Sequence, residues 1–205
     1  ALRPYGRDAR LLRKGKSLKG IAARTSLRRI WVHGVDQDLL HGLCALPNLE
    51  VLFMEKVTAQ DLSLLQDAKA LRHLSLDGVP AIGHLSWLGE RRTLEVLSLK
   101  NWPLLHDITA LAAQTQLRGL ARDGGTWTPL QLDSLTPLAG LDRLQCLSPI
   151  NCQVPDKSLA PSNVSGSCVH ALRALHCGQN FSQDQFLAPR AAQPEIRCDW
   201  FDHSA

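Results

Sequence analysis

The chain has 205 residues, 44% of them apolar and 20% charged, with a formal net charge of +4. That length builds one good core or one repeat array, and the composition is ordinary for a soluble globular protein. No apolar run approaches the roughly 18 residues of a spanning helix, and positions 1–20 lack the apolar centre of a signal peptide.

The head of the chain is basic. Ten of the 23 Lys and Arg lie between Arg3 and Arg29, where Asp8 alone of the 19 Asp and Glu opposes them. Beyond Arg29 the acidic side chains outnumber the basic ones, so the charge is a basic head on a mildly acidic body. Positions 1–17 are expected to be an N-terminal cap or a degenerate first rung, since a stacked array exposes an open strand edge there. The chain opens at Ala1 without a methionine, which leaves an upstream segment open.

From position 18 onward one pattern repeats. Leucines in the form L-x-x-L-x-L recur at Leu27, Leu49, Leu71, Leu94, Leu117, Leu144 and Leu172. The spacing is nearly constant as far as Leu117 and lengthens in the steps to Leu144 and Leu172. Each unit reads as a short strand, a turn and a return. Examples are Leu49, Leu52, Met54 then Val57, and Leu94, Leu97, Leu99 then Trp102. Side chains alternate across a strand, so the fourth and sixth positions of each unit point inward and the third, fifth and seventh point outward. The returns carry three- and four-residue apolar spacing, as in Leu62, Leu65 and Ala68, with Asp61 and Asp107 placed to begin short helices. The segment around Leu135, Pro137 and Leu138 predicts a turn or 3₁₀ stretch. Later units degrade: Arg122 and then Pro149 occupy the inward sixth position. Positions 153–167, rich in Pro, Ser, Asn and Gly, read as a protruding loop. The tail at 194–201 reads as a terminal capping strand, with Ile196, Cys198 and Trp200 on one side.

A period in the twenties with this internal pattern resembles the leucine-rich repeat family. The likeness spans about positions 18–201 and is to its short, roughly 22-residue class, as in bacterial cytosolic members and the repeat regions of internalins. The resemblance implies an α/β solenoid, with seven or eight short parallel strands on a concave sheet and short helices or turns on the convex side. It also implies a protein-binding role, because members act as adhesins, phosphatase regulators, ligase substrate receptors and secreted effectors. An inhibitor or immunity-type protein that occludes its partner is one expectation, and an effector or ligase-associated recognition domain another. The family's turn asparagine appears only at Asn180; Val, Trp, Gly or Cys stand there in earlier units.

Superposing the units sorts the remaining residues into columns. The second position alternates in sign through Arg28, Glu50, Arg72, Glu95 and Arg118, which predicts a charge ladder along one edge, each Arg between two Glu side chains. The outward positions bring together Trp31 and Phe53, then Glu55, Asp77 and Asp123 interrupted by Lys100, with Arg29 and His73 alongside. Aromatics beside charges are what binding hot spots contain, so these eight residues are the expected contacts for a protein partner. The alternative is that the N-terminal cap covers Trp31 and Phe53. Another expectation is that the basic head binds nucleic acid or an anionic membrane.

Catalysis has little support. His33, Glu55, His73 and Asp77 converge in adjacent units, but a shallow sheet seldom excludes water, and no phosphate loop or nucleophile motif is present. No enzyme activity, metal or cofactor is expected. Six scattered cysteines without a CxxC pair read as buried thiols in a reducing compartment, hence a cytoplasmic protein.

Overall fold

The structure is a computed structural model that describes residues 8–12, 20–89, 93–124, 129–155, 157, 159, 171–177, 181, 185–186, 191 and 194–198. The alternating segments become strands β1 (Asp8–Leu12), β2 (Arg29–Val35), β3 (Val51–Val57), β4 (His73–Asp77), β5 (Val96–Lys100) and β6 (Gly119–Asp123). After them come β7 (Leu130–Gln131), β8 (Cys146–Ser148), β9 (Cys152–Gln153) and β10 (Ala174–Leu175). Eight of these form one parallel sheet in the order β1-β2-β3-β4-β5-β6-β8-β10. Spatial order follows chain order, as a solenoid requires.

The register is the one that the leucine pattern dictates. Ile30, Leu52, Leu74, Leu97, Leu120 and Leu147 pair in succession along one inward column. Val32, Met54, Leu76 and Leu99 do so along the other. All seven anchoring leucines are buried. A fully buried aliphatic side chain stabilises by roughly 2 kcal/mol, so these columns hold the fold together.

β1 extends the register at the N-terminal end, with Ala9 opposite Ile30 and Leu11 opposite Val32. Positions 8–12 are thus a strand, while the rest of the expected cap, 1–7 and 13–17, lies outside the described residues. At the other end, the tail makes a single parallel bridge between Ala174 and Arg197, with Ile196 and Cys198 buried. Positions 199–201, Asn180 and most of the expected 153–167 loop lie outside the described residues.

The returns are tighter than the apolar spacing predicts. One is α-helical: α1 (Gln37–Cys44), whose N-cap Asp36 accepts a hydrogen bond from the Leu39 amide at 3.0 Å. Others are 3₁₀ turns at Ser63–Asp67, Ser86–Leu88, Thr109–Ala113 and Thr136–Leu138. A 3₁₀ turn rises about 2.0 Å per residue against about 1.5 Å for an α-helix, so it spans the rung with fewer residues. Asp61 and Asp107 stand just ahead of two of these turns, one residue before the N-caps Leu62 and Ile108: Asp61 accepts from the Ser63 amide and Asp107 from the Thr109 amide, each at 2.8 Å. Hydrogen bonds from Ser63 and Thr109 hold both carboxyls below their usual range. The longer steps to Leu144 and Leu172 have a structural use. Each contributes one strand of a second, two-stranded parallel sheet, β7–β9, which pairs Leu130 with Cys152.

Other donors replace the missing turn asparagines. At two such positions, Trp102 donates its indole N–H to the Ile82 carbonyl, and the Cys152 thiol donates to the Arg122 carbonyl at 3.0 Å. The Thr58 hydroxyl donates to the Val35 carbonyl at 3.3 Å. Arg122 is the unusual member. It takes the inward position after Leu99, where it is only 3% exposed, and donates to the carbonyls of Trp102 and Leu105 at 2.8 Å each. Its Nε has no partner among the described residues. Burial pushes the guanidinium pKa down to about 10 and the neighbouring Cys152 thiol up to about 12. The inward arginine therefore serves the backbone of the preceding rung, at a desolvation cost that a leucine would not carry.

Candidate interaction surface

Opposite the leucine columns lies the outward face of the sheet. Strand pairing aligns Trp31, Phe53, Ser75, Ser98, Ala121 and Ser148 in the central column. Arg29, Val51, His73, Val96, Gly119 and Cys146 line one flank. His33, Glu55, Asp77, Lys100 and Asp123 line the other.

Trp31 and Phe53 are 41% and 44% exposed. β1 does not bury them. Their ring centroids lie 6.3 Å apart with the planes tilted by 48°, the edge-inclined geometry that aromatic pairs favour. Beyond them the central column drops to serine and alanine. The face thus has an aromatic step over β2 and β3, then a row of small side chains across β4, β5, β6 and β8.

The charged flank is internally paired. His33 Nδ1 and Glu55 Oε2 lie 3.3 Å apart, and Lys100 Nζ stands 4.0 Å from Asp123. Asp77 accepts from the Asn101 side-chain amide at 2.6 Å. Asp123 is half-buried, and its carboxyl pKa is raised, first by that burial and further by Asp77, against the lowering effect of Lys100. On the opposite flank Arg29 donates to Asp8 of β1 at 2.7 Å, so part of the basic head is satisfied within the sheet.

The alternating edge column resolves into two pairs rather than a continuous ladder. Arg28 pairs with Glu50, and Arg72 pairs with Glu95 at 2.5 Å. A carboxylate that accepts one short, directed guanidinium bond has turned toward one neighbour and away from the other. Both pairs are partly exposed, which limits each to about 0–1 kcal/mol.

His33, Glu55, His73 and Asp77 do share one face, but the ion-pair contact is between His33 and Glu55. Among the described residues no group of three His, Cys, Asp or Glu side chains could hold one metal ion.

Two participants escaped the sequence pattern. Asp8 sits in the basic head, where nothing marked it as the partner of Arg29. Asn101 lies just past β5 at φ 48°, and its amide reaches Asp77 from there. An asparagine directly after a strand, a residue that tolerates the left-handed region, was the available signal. The equivalent positions of the three preceding rungs hold Gly34, Lys56 and Gly78, all at positive φ.

No protein-family model matches the chain, and no curated protein matches its sequence. The chain is similar to several solved structures. Internalin C2 of Listeria monocytogenes is 23% identical over 86% of this chain and 72% of its own, with a TM-score of 0.66. A Bacteroides fragilis protein is 16% identical over 76% of this chain and 51% of its own, with a TM-score of 0.52. A second Listeria monocytogenes internalin is 16% identical over 94% of this chain and 86% of its own, with a TM-score of 0.39. The first likeness establishes the leucine-rich repeat solenoid fold for this chain.

Proposed function

We propose that this protein is an interaction module that holds a protein partner on the outward face of its sheet. The contacts would come from Arg29, Trp31, Phe53, Glu55, His73, Asp77, Lys100 and Asp123. The observation that carries this reading is the exposed Trp31–Phe53 pair. Two large aromatics on the outward side of adjacent strands add little to the core, yet aromatic anchors dominate binding energy at interfaces. The stacked rungs fix the face in advance, so little ordering entropy opposes association. Inhibitor, immunity-type and substrate-recognition roles would all use this face and differ only in the partner.

The test is capture from the native organism by the full chain, repeated with Trp31→Ala combined with Phe53→Ala. The wild-type chain should retain a partner that the double variant loses, a weakening of at least about 100-fold. The thermal transition should stay within about 1 kcal/mol, as for surface substitutions. Undiminished capture, or strong destabilisation by the double substitution, contradicts the reading.

A further inference from the structure

The charged edge column breaks its own rule toward the C-terminal end. In the earlier rungs an arginine donates to the glutamate of the following strand, Arg28 to Glu50 and Arg72 to Glu95. By that rule Arg118 would meet a carboxylate at position 145, but Gln145 stands there. Backbone bonds keep the column in line. The Gln145 amide donates to the Arg118 carbonyl at 2.8 Å, and the Arg173 amide to the Gln145 carbonyl at 2.7 Å. Arg118 and Arg173 therefore flank Gln145, two strand spacings or roughly 10 Å apart along the edge. Both are exposed, and among the described residues neither side chain has an ion pair or hydrogen bond. Glu95, on the other side of Arg118, bonds to Arg72 at 2.5 Å. The other described charges at this end of the edge are Arg143, Arg197, Asp142 and Glu195, all exposed, and Arg143 donates to Gln116 at 2.7 Å. With Arg118 and Arg173 included, cations outnumber carboxylates four to two.

We propose that Arg118 and Arg173 hold a carboxylate of an acidic segment of another protein, which takes the place over Gln145 that Glu50 and Glu95 fill in the earlier rungs. Guanidinium groups present paired donors that match a carboxylate, and such charge-assisted bonds are stronger than neutral ones. The outward positions beside this edge are small, Gly119, Cys146 and Ala174 in register, so the segment's backbone meets no bulky side chain as it approaches. Beyond Arg29 the carboxylates of the whole chain outnumber its cations. An extended polyanion such as a nucleic-acid strand is therefore repelled away from this edge, while a short acidic segment meets only the arginines. The site lies toward the opposite end of the sheet from Trp31 and Phe53, and it stands independently of the reading given above.

The probe is a displayed library of random linear peptides selected against the full folded chain. Selection should enrich a class of peptides rich in Asp or Glu. That class should bind Arg118→Gln/Arg173→Gln at least about tenfold more weakly than wild type, with a flatter salt dependence. Gln145→Glu should cost it as much, because the chain then supplies its own carboxylate between the two arginines, while the thermal transition stays level or rises slightly. Trp31→Ala/Phe53→Ala should leave its affinity unchanged, so this site and the aromatic pair fail separately. Circular dichroism melts establish that each variant is folded. No acidic class, or acidic peptides indifferent to both Arg118→Gln/Arg173→Gln and Gln145→Glu, would overturn the proposal. So would peptides lost only on Arg3→Gln/Arg7→Gln, which would assign them to the basic head. A ten-nucleotide oligonucleotide that displaces the peptides and binds more tightly would overturn the choice of a protein segment.

Discussion

The first and last rungs solve the same problem with different materials. From β2 to β5 the inward positions are aliphatic or Met, and the strands run five to seven residues. From β6 onward, Arg122 and then Pro149 enter the sixth position, and the main-sheet strands shrink to three residues in β8 and two in β10. The N-terminal rungs rest on side-chain burial, which leaves their outward face free to carry aromatics. The C-terminal rungs recover order through donors aimed at backbone carbonyls and through the second sheet of β7 and β9. The longest aliphatic strands and the exposed aromatic pair thus lie at the same end, on opposite sides of one sheet.

Arg122 is the place to break this contrast. Arg122→Ala should cost about 3–5 kcal/mol, because it opens a cavity and leaves the Leu105 carbonyl without its guanidinium donor. Arg122→Met keeps most of the volume and removes the buried charge, so it should be milder by about 2 kcal/mol. Chemical denaturation of the two variants decides which matters more, packing or the guanidinium hydrogen bonds. Equal losses would assign the stability to the hydrogen bonds alone.

Alkaline pH sharpens the same region. The Cys152 thiol is raised from 9.0 to about 12 in the fold. Its contribution is therefore complete below pH 9 and declines as pH rises toward 12. Arg122 runs the other way: burial lowers its pKa to about 10, so above that pH the unfolded chain binds the extra proton and stability rises. Between pH 9 and 10 the thiol acts alone. Wild type should then lose stability relative to Cys152→Ala in urea titrations, and a constant difference would contradict the assignment.

A smaller effect probes the N-terminal rungs. Lys56 holds φ 53° where neighbouring units have Gly34 and Gly78. Lys56→Gly should raise stability by about 0.5–1 kcal/mol in thermal melts, because a side chain in the left-handed region is strained. Asn101→Gly should gain less, since asparagine tolerates that region and its bond to Asp77 would be lost. Smallest of all, Glu50→Gln should change the melt by less than about 1 kcal/mol, and less again in high salt.

Much of this architecture was legible before folding. The anchors at Leu27 through Leu172 all proved buried, and the three outward columns aligned residue for residue through β6. Legibility failed where one rung acts on another. Arg122 read as a defect because its partners, the carbonyls of Trp102 and Leu105, lie in the preceding return, well back along the chain. The Arg–Glu alternation read as continuous because sign is periodic, whereas the direction of a guanidinium bond is not. The extra length of the later units read as degradation because a strand as short as β7 or β9 has too few residues to show periodicity.

By itself, then, the sequence determined the repeat, the inward and outward assignment of each strand residue, and the residues that share a face. These follow from a side-chain period of two and a repeat that stacks like on like. The tertiary structure alone decided that Trp31 and Phe53 stay exposed, that Arg28 and Arg72 each engage one carboxylate, and that a buried arginine, a tryptophan and a thiol take over the work of turn asparagines. Exposure and hydrogen-bond satisfaction depend on atoms contributed by neighbouring rungs, and those atoms come together only when the rungs stack.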